Sequence, residues 1–300
     1  MKIVGKVLFL STFLTLTSLG LTCSAEIDGE LTLLLEQESA YSPQWSSDGT
    51  KIFFVESLDE MVAFGPGYVW SVDVNSKEVN QVSDDTLGII DFSPDGNLCV
   101  TYIEEEKWIR VFDTETWTQL TSIAMPDEAL EDWRNKFSSP RFSYESNDII
   151  YYHYHIYSDS SYLHKVNLVD STDEVILTTS GASFLAPGSG DTLITFGDTI
   201  YNLNSQERIF IDISEEFIQS ADWNPADPRE LLISSGPQDD ILVFDLDTRE
   251  ASTLDIHKTV KSGWVGDGQY SLEGDRIVFG TLDSEATWSL CQIFVFEPEK

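Results

Sequence analysis

The chain has 300 residues, 41% hydrophobic and 12% aromatic, enough for one large β domain or two ordinary ones with a sizeable core. Its 17 lysines and arginines face 52 acids, a formal charge of −35. That balance excludes nucleic acid and anionic membrane surfaces as main partners, because phosphate contacts need Lys and Arg; the acid excess itself reads as a solvated, salt-screened surface.

Residues 1–25 predict a secretory signal peptide. Lys2 and Lys6 form a positive start, Val7 to Leu21 is apolar apart from Ser, Thr and Gly, and Cys23-Ser24-Ala25 puts small residues before Glu26. Cleavage after Ala25 exports the rest to the periplasm or outside the cell. It removes two lysines and no acid, taking the charge from −35 to −37. A membrane anchor is the competing reading, but the apolar run is short and no second span follows, so no transmembrane segment is expected in the mature chain. Cys23 raises lipoprotein processing as a minor alternative, for which Gly20-Leu21-Thr22 is a poor lead-in. Cys99 and Cys291, far apart in apolar strand contexts, are expected as buried free thiols.

Residues 30–36 read as a strand with no unit of its own. The stretch Gln44-Trp45-Ser46-Ser47-Asp48-Gly49-Thr50-Lys51-Ile52-Phe53-Phe54 then reads as strand, tight turn, strand. Its cleaner copy is Asp91-Phe92-Ser93-Pro94-Asp95-Gly96-Asn97-Leu98. Proline presets the first corner, Asp tolerates the second, and Gly takes the left-handed position that closes a three-residue hairpin. Further copies start at Arg141, Phe184, Asp222 and Gln269. Their anchors Trp45, Phe92, Phe142, Leu185, Trp223 and Tyr270 are spaced by 47, 50, 43, 38 and 47 residues. A period near 45 with strand–turn chemistry predicts a β-propeller.

About 20 residues after each anchor comes a second signature, as in Trp70-Ser71-Val72-Asp73, Ile109-Arg110-Val111-Phe112-Asp113 and Ile241-Leu242-Val243-Phe244-Asp245, then a polar turn and another strand. Each unit is thus four strands, A to D, and the fold class is all-β, a six-bladed propeller over residues 26–300. Unit six ends where strand D is due, so the N-terminal strand 31–35 is expected to complete the last blade beside 293–296 and close the ring. The one helix candidate is 126–134, with proline early and acids in its first turn.

The aromatic, Ser-Pro-Asp-Gly, Ile-x-Phe sequence followed by a Val-Asp-x-x-x-x-Glu strand pair resembles the TolB-type six-bladed propeller repeat, strongest over 43–55, 70–79 and 91–102. The resemblance is to the propeller module alone and implies a periplasmic scaffold, a domain attached to a peptidase, or a metal-dependent enzyme; fold does not choose among these.

The long connections, 56–68, 153–162, 126–139, 212–221 and 255–268, all fall on the B–C/D–A face. One-sided elaboration of a rigid scaffold points to a binding face, which would carry Phe64, Tyr68, Trp133, Tyr154, Tyr157, Tyr162 and Trp264. Aromatics beside acids suit a polypeptide, or a glycan, better than a phosphate; taken singly, each more simply packs a loop onto the disc. The residues one before each anchor, Gln44, Asp91, Arg141, Asp222 and Gln269 (with Phe184 the exception), form a polar ring on the innermost strands, either bonding neighbouring blades or lining the channel. His153 and His155 share one face of a strand and are a weak two-ligand metal candidate; hydrogen bonding inside a Tyr-rich blade is the simpler account. Asp245-Leu246-Asp247-Thr248 lacks the Gly and closing Glu of a calcium loop and reads as a C–D turn. No catalytic residue, nucleophile elbow, phosphate loop or cofactor motif is legible. The expectation is an exported binding scaffold for a protein or peptide, not an enzyme, with a metal-dependent lyase, lactonase or hydrolase at the channel mouth as the alternative. Oligomeric state is not legible.

Overall fold

A computed structural model describes residues 26–58, 66–103, 108–124, 136–137, 140–144, 148–155, 160–180, 185–188, 192–211, 218–235, 240–254, 256, 260, 263–283 and 290–299. The described residues are all-β: six blades arranged as a propeller. Blade 1 runs Ala40–Trp45, Lys51–Ser57, Gly67–Asp73 and Val79–Gln81 from the inside outward. Blades 2 to 5 repeat that order from Ile90–Phe92, Arg141–Phe142, Leu185–Pro187 and Ile218–Trp223. The helix candidate at 126–134 lies outside the described residues.

Blade 6 supplies Gly263–Tyr270, Ile277–Asp283 and Leu290–Pro298, and its fourth strand is the N-terminal Gly29–Glu38. The pairing is antiparallel, with Leu31 opposite Phe296 and Leu35 opposite Ile293. Leu31 packs into the core between blades 5 and 6, and a bulge between Leu33 and Leu35 lets both Leu34 and Leu35 face the core between blades 6 and 1. The closing strand is longer than the 31–35 expected, and a second contact precedes it. Glu26–Ile27 adds in parallel to the outer strand Glu250–Leu254 of blade 5. The N-terminal segment therefore staples two successive blades.

Because each strand shows alternate side chains to alternate faces, both faces of every blade are apolar and the core is six wedges, one between each pair of blades. Each wedge holds one anchor: Trp45, Phe92, Phe142, Leu185, Trp223 and Tyr270. Cys99 and Cys291 are buried free thiols within two of these wedges.

The repeated A–B turn is built as its residues predict. Ser46 Oγ donates to Asp48 Oδ1 (2.7 Å) and accepts from Lys51 N (2.9 Å), while Thr50 N donates to Asp48 Oδ1 (3.0 Å). Ser93 and Asp95 repeat these bonds, and the Ser hydrogen bonds hold the Asp48 and Asp95 carboxyls below the usual range. Gly49, Gly96 and Gly274 sit at φ +65°, +71° and +69°. These glycines also face the preceding blade: a Cβ would strike the Arg276 guanidinium, Ser47 and Asn224 respectively. The C–D turns share a different rule. Asp73, Asp113, Asn167, Asn202 and Asp245 each open the turn with side-chain acceptors for backbone N–H groups two or three residues on. Lys77, Trp117, Ser171, Gln206 and Arg249, the fifth residue of each turn, lie at φ +53° to +60°.

Candidate functional site: an axial cavity ringed by carboxylates

The innermost strands converge on a cavity of about 230 Å³. Gln44, Asp91, Arg141, Asp222 and Gln269 all line it, so the structure gathers the five residues of the polar ring around one space. Its rim is made of A–B turns, including Ser46, Ser93, Pro94, Tyr144, Pro225 and Leu272, so it opens on the A–B/C–D side of the disc. Tyr144 of blade 3 donates its hydroxyl to Pro225 O of blade 5 at 2.9 Å, passing over the inner edge of blade 4.

The ring does both jobs open to it from sequence. Asp91 of blade 2 accepts from Phe142 N of blade 3 (2.7 Å) and pairs with Arg141 Nη1 (3.0 Å). Asp222 of blade 5 accepts from Tyr270 N of blade 6 at 2.9 Å. In both cases a residue preceding one anchor ties down the backbone of a following anchor while lining the cavity.

A third carboxylate, Asp267, belongs to the same cluster. It sits in a bulge between Gly266 and Gln269 at φ +54° and accepts from Ser42 N of blade 1 at 3.3 Å. Ser42 is itself in a bulge, at φ +53°. Non-glycine residues held left-handed cost energy, and bulges re-aim side chains; here both devices turn one carboxylate inward. The one legible sign of it was glycine on both sides, Gly266-Asp267-Gly268.

Charge in this cluster is unbalanced, three carboxylates to one guanidinium. Burial works against the Arg141 charge, but Asp91, Asp222 and Asp267 together hold the guanidinium above its usual value. The acids are not compensated in return. Burial pushes Asp222 up to about 7 against the pull of Arg141, and raises Asp91 and Asp267 as well. The two partners of the Asp91–Arg141 pair both shift upward, Asp91 because burial outweighs the pull of Arg141, and Arg141 because three carboxylates outweigh its own burial.

Gln44 and Gln269 complete the wall. They are 4% and 7% exposed, and neither carboxamide hydrogen-bonds to a described residue. Buried amides are normally satisfied, so these are donors and acceptors offered to whatever occupies the cavity.

The aromatic set expected on the opposite face is only partly described. Phe64, Trp133 and Tyr157 lie outside the described residues. Tyr68 and Tyr162 are half-buried at the B–C ends of their strands, opposite Glu56 and His153, and do not line the cavity. The backbones of Tyr154 and Trp264 stand in strands opposite Ser161 and Leu282. His153 and His155 occupy alternate positions of strand Ile149–His155, opposite Tyr162 and Ser160. Among the described residues no group of three His, Cys, Asp or Glu side chains is placed to hold a metal ion. A histidine that sequence reading passed over, His164, is buried on Tyr151 (centroids 4.8 Å apart) and pairs through Nδ1 with Asp173 at 2.9 Å; Tyr151 OH donates to the same carboxylate at 3.0 Å. That triad packs blade 3 against blade 2.

No family model matches the chain, and no curated protein matches it in sequence. Solved structures match its fold. A gluconolactonase from Xanthomonas campestris superposes with a TM-score of 0.63 at 12% identity, covering 93% of this chain and 94% of that one. The Swd1 β-propeller domain from Myceliophteria thermophila gives 0.60 at 8% identity, covering 91% and 100%. An oligogalacturonate lyase from Vibrio parahaemolyticus gives 0.54 at 11%, covering 91% and 97%. At such identities the likeness is one of fold: a six-bladed propeller of the kind used both by enzymes and by WD40-type scaffolds. No helix among the described residues is long and apolar enough to cross a membrane.

Proposed function

We propose that this protein is an exported binding scaffold that seats a group of a protein or peptide partner in its axial cavity. The observation that carries this reading is the convergence of five ring residues on one space whose Gln44 and Gln269 amides have no described partner. A small concave site with a few convergent polar groups is the default place for recognition, and a volume of about 230 Å³ suits one side chain better than a whole cofactor. The resemblance of the repeat to the TolB type, which implies a periplasmic scaffold as one of its roles, supports the same reading, and residues 1–25 support export. A metal-dependent reaction at the mouth has no ligand set among the described residues to support it.

The test is a thermal-shift screen of soluble peptides, saccharides and small amines against wild type and a Gln44→Ala/Gln269→Ala variant. Compounds that stabilise wild type and lose their effect in the variant support the cavity as the seat. Equal stabilisation of both proteins by every hit removes it, and leaves the aromatic loop face, with its one-sided loop lengths, as the surface to shorten and retest.

A further inference from the structure

We infer that the cavity recognises an organic cation, an alkylammonium group such as a lysine side chain, held by Asp222 with the Gln44 and Gln269 carboxamides. The inference rests on the cavity being the binding seat and adds the chemistry of what is bound.

The charge balance decides the sign of the ligand. Asp91 is already committed to Arg141 Nη1 and Phe142 N. Asp267, behind the wall, is committed to Ser42 N. Asp222 accepts from Tyr270 N through Oδ2 and from the Trp223 backbone, and no described side chain donates a hydrogen bond to it. An anion entering this space would be a fourth negative charge against one guanidinium, and a neutral ligand would leave the imbalance as it is. An ammonium group offers three donors and a positive charge, which Asp222 and the two amide oxygens accept. Charge-assisted bonds of this kind are the strong ones in a desolvated site. The apolar share of the wall, Pro94, Pro187 and the exposed edge of Leu272 (45% exposed), accommodates a methylene stem. The net charge of −35 favours the approach of a cationic partner over long range.

The binding form is the Asp222 carboxylate. The charged groups around it are Arg141 and Asp91 from blades 3 and 2, with Asp267 acting through Arg141 and the Tyr270 backbone beside it. Burial raises Asp222 to about 7, so affinity for a cation weakens about tenfold per unit as pH falls below that value and levels off above it.

The experiment is calorimetric titration of the full mature chain with Nα-acetyl-lysine methylamide, with its neutral isostere Nα-acetyl-norleucine methylamide, with n-butylamine, and with a lysine-containing tripeptide. The lysine amide is expected to bind at pH 8 at least tenfold more tightly than the norleucine amide, to weaken from pH 8 to pH 5.5, and to lose both preferences in Asp222→Asn. Asn keeps the acceptor for Tyr270 N, and an unchanged circular dichroism spectrum certifies its fold. Tighter binding of the tripeptide than of butylamine assigns the cation to a polypeptide; the reverse assigns it to a free amine. Equal affinity for the lysine and norleucine amides, or a pH profile unaltered in Asp222→Asn, overturns the inference. If instead a saccharide or neutral peptide binds and is lost in Gln44→Ala/Gln269→Ala, the cavity stands as the seat and only the cation is wrong.

Discussion

Ser42 and Asp267 meet across the seam where the ring closes, both in left-handed conformations and both in bulges of innermost strands, with the Ser42 N–H donating to Asp267 Oδ2 at 3.3 Å. Two strained residues kept in register at the junction of the first and last blades hold a buried carboxylate within Coulombic reach of Arg141.

Arg141 is accordingly the residue whose loss is felt most. Arg141→Met leaves Asp91, Asp222 and Asp267 without a cation, and breaking a buried pair from one side costs about 3–5 kcal/mol. Urea unfolding at pH 8 is expected to show that loss, and the double variant Arg141→Met/Asp91→Asn to recover part of it. A single variant within about 1 kcal/mol of wild type contradicts the charge accounting.

Stability should depend on pH in a way set by the same cluster. Asp222, raised to about 7, binds its proton more tightly folded than unfolded, so its contribution is fullest below the unfolded value and is lost as pH rises through about 7. The turn carboxylates Asp48, Asp95 and Asp227, held low by their hydrogen bonds, act oppositely and lose their contribution as pH falls through the acid range. The melting temperature should therefore peak in mild acid, near pH 4–5, and be lower at pH 8. Asp222→Asn should raise it at pH 8 and change it little at pH 5. A profile that rises steadily from pH 5 to 8 in wild type would falsify the assignment.

The five C–D turns offer an independent check on the backbone. Lys77, Gln206 and Arg249 occupy left-handed positions that glycine takes without strain. Replacing each by Gly should stabilise the protein by about 0.5–1 kcal/mol, against the usual penalty for added chain freedom. The converse holds at Gly274, where the left-handed φ and the neighbouring Asn224 both oppose a Cβ. Gly274→Ala should cost about 2–4 kcal/mol, read as a lower urea midpoint. Glycine variants that destabilise at all three C–D positions would show that the side chains there make contacts outweighing the strain.

Ring closure is tested by where the chain begins. A protein starting at Ser39 lacks the whole ladder to Leu290–Pro298, in which each backbone hydrogen bond is worth roughly 1 kcal/mol net, and should melt far below one starting at Glu26. A protein starting at Gly29 keeps that ladder but loses Glu26–Ile27 from blade 5, with Ile27 part of the wedge beneath; a smaller drop is expected. Coincident melting of all three forms would show that the N-terminal pairings carry no stability.

Much of this architecture was legible because it is local and repeated. The turn Ser, Asp and Gly act within five residues of one another, the anchor recurs at every wedge, and the position before it lines the cavity in the five blades where it is described. What was not legible is what the repeat brings together only in space. Asp267 escaped because its bulge breaks the alternation by which Gln269 was found. The second duty of Gly96 and Gly274, making room for Ser47 and Asn224 of the preceding blade, has no trace in the turn's own sequence. Nor did the uneven loops single out the A–B side, since a cavity walled by short, regular turns leaves no mark on loop length.

The pairing of Gly29–Glu38 with Leu290–Pro298 also dictates an order of events. The segment made earlier waits for one made far later, and blade 6 has no complete sheet until Leu290–Pro298 has been made. Every nascent or prematurely terminated product therefore carries two unpaired edges, the hallmark of an aggregation-prone species. Contacts this distant in sequence are slow to form because loop closure precedes any reward. For this protein, length is a quality check: a chain that ends early has no ring to hide in.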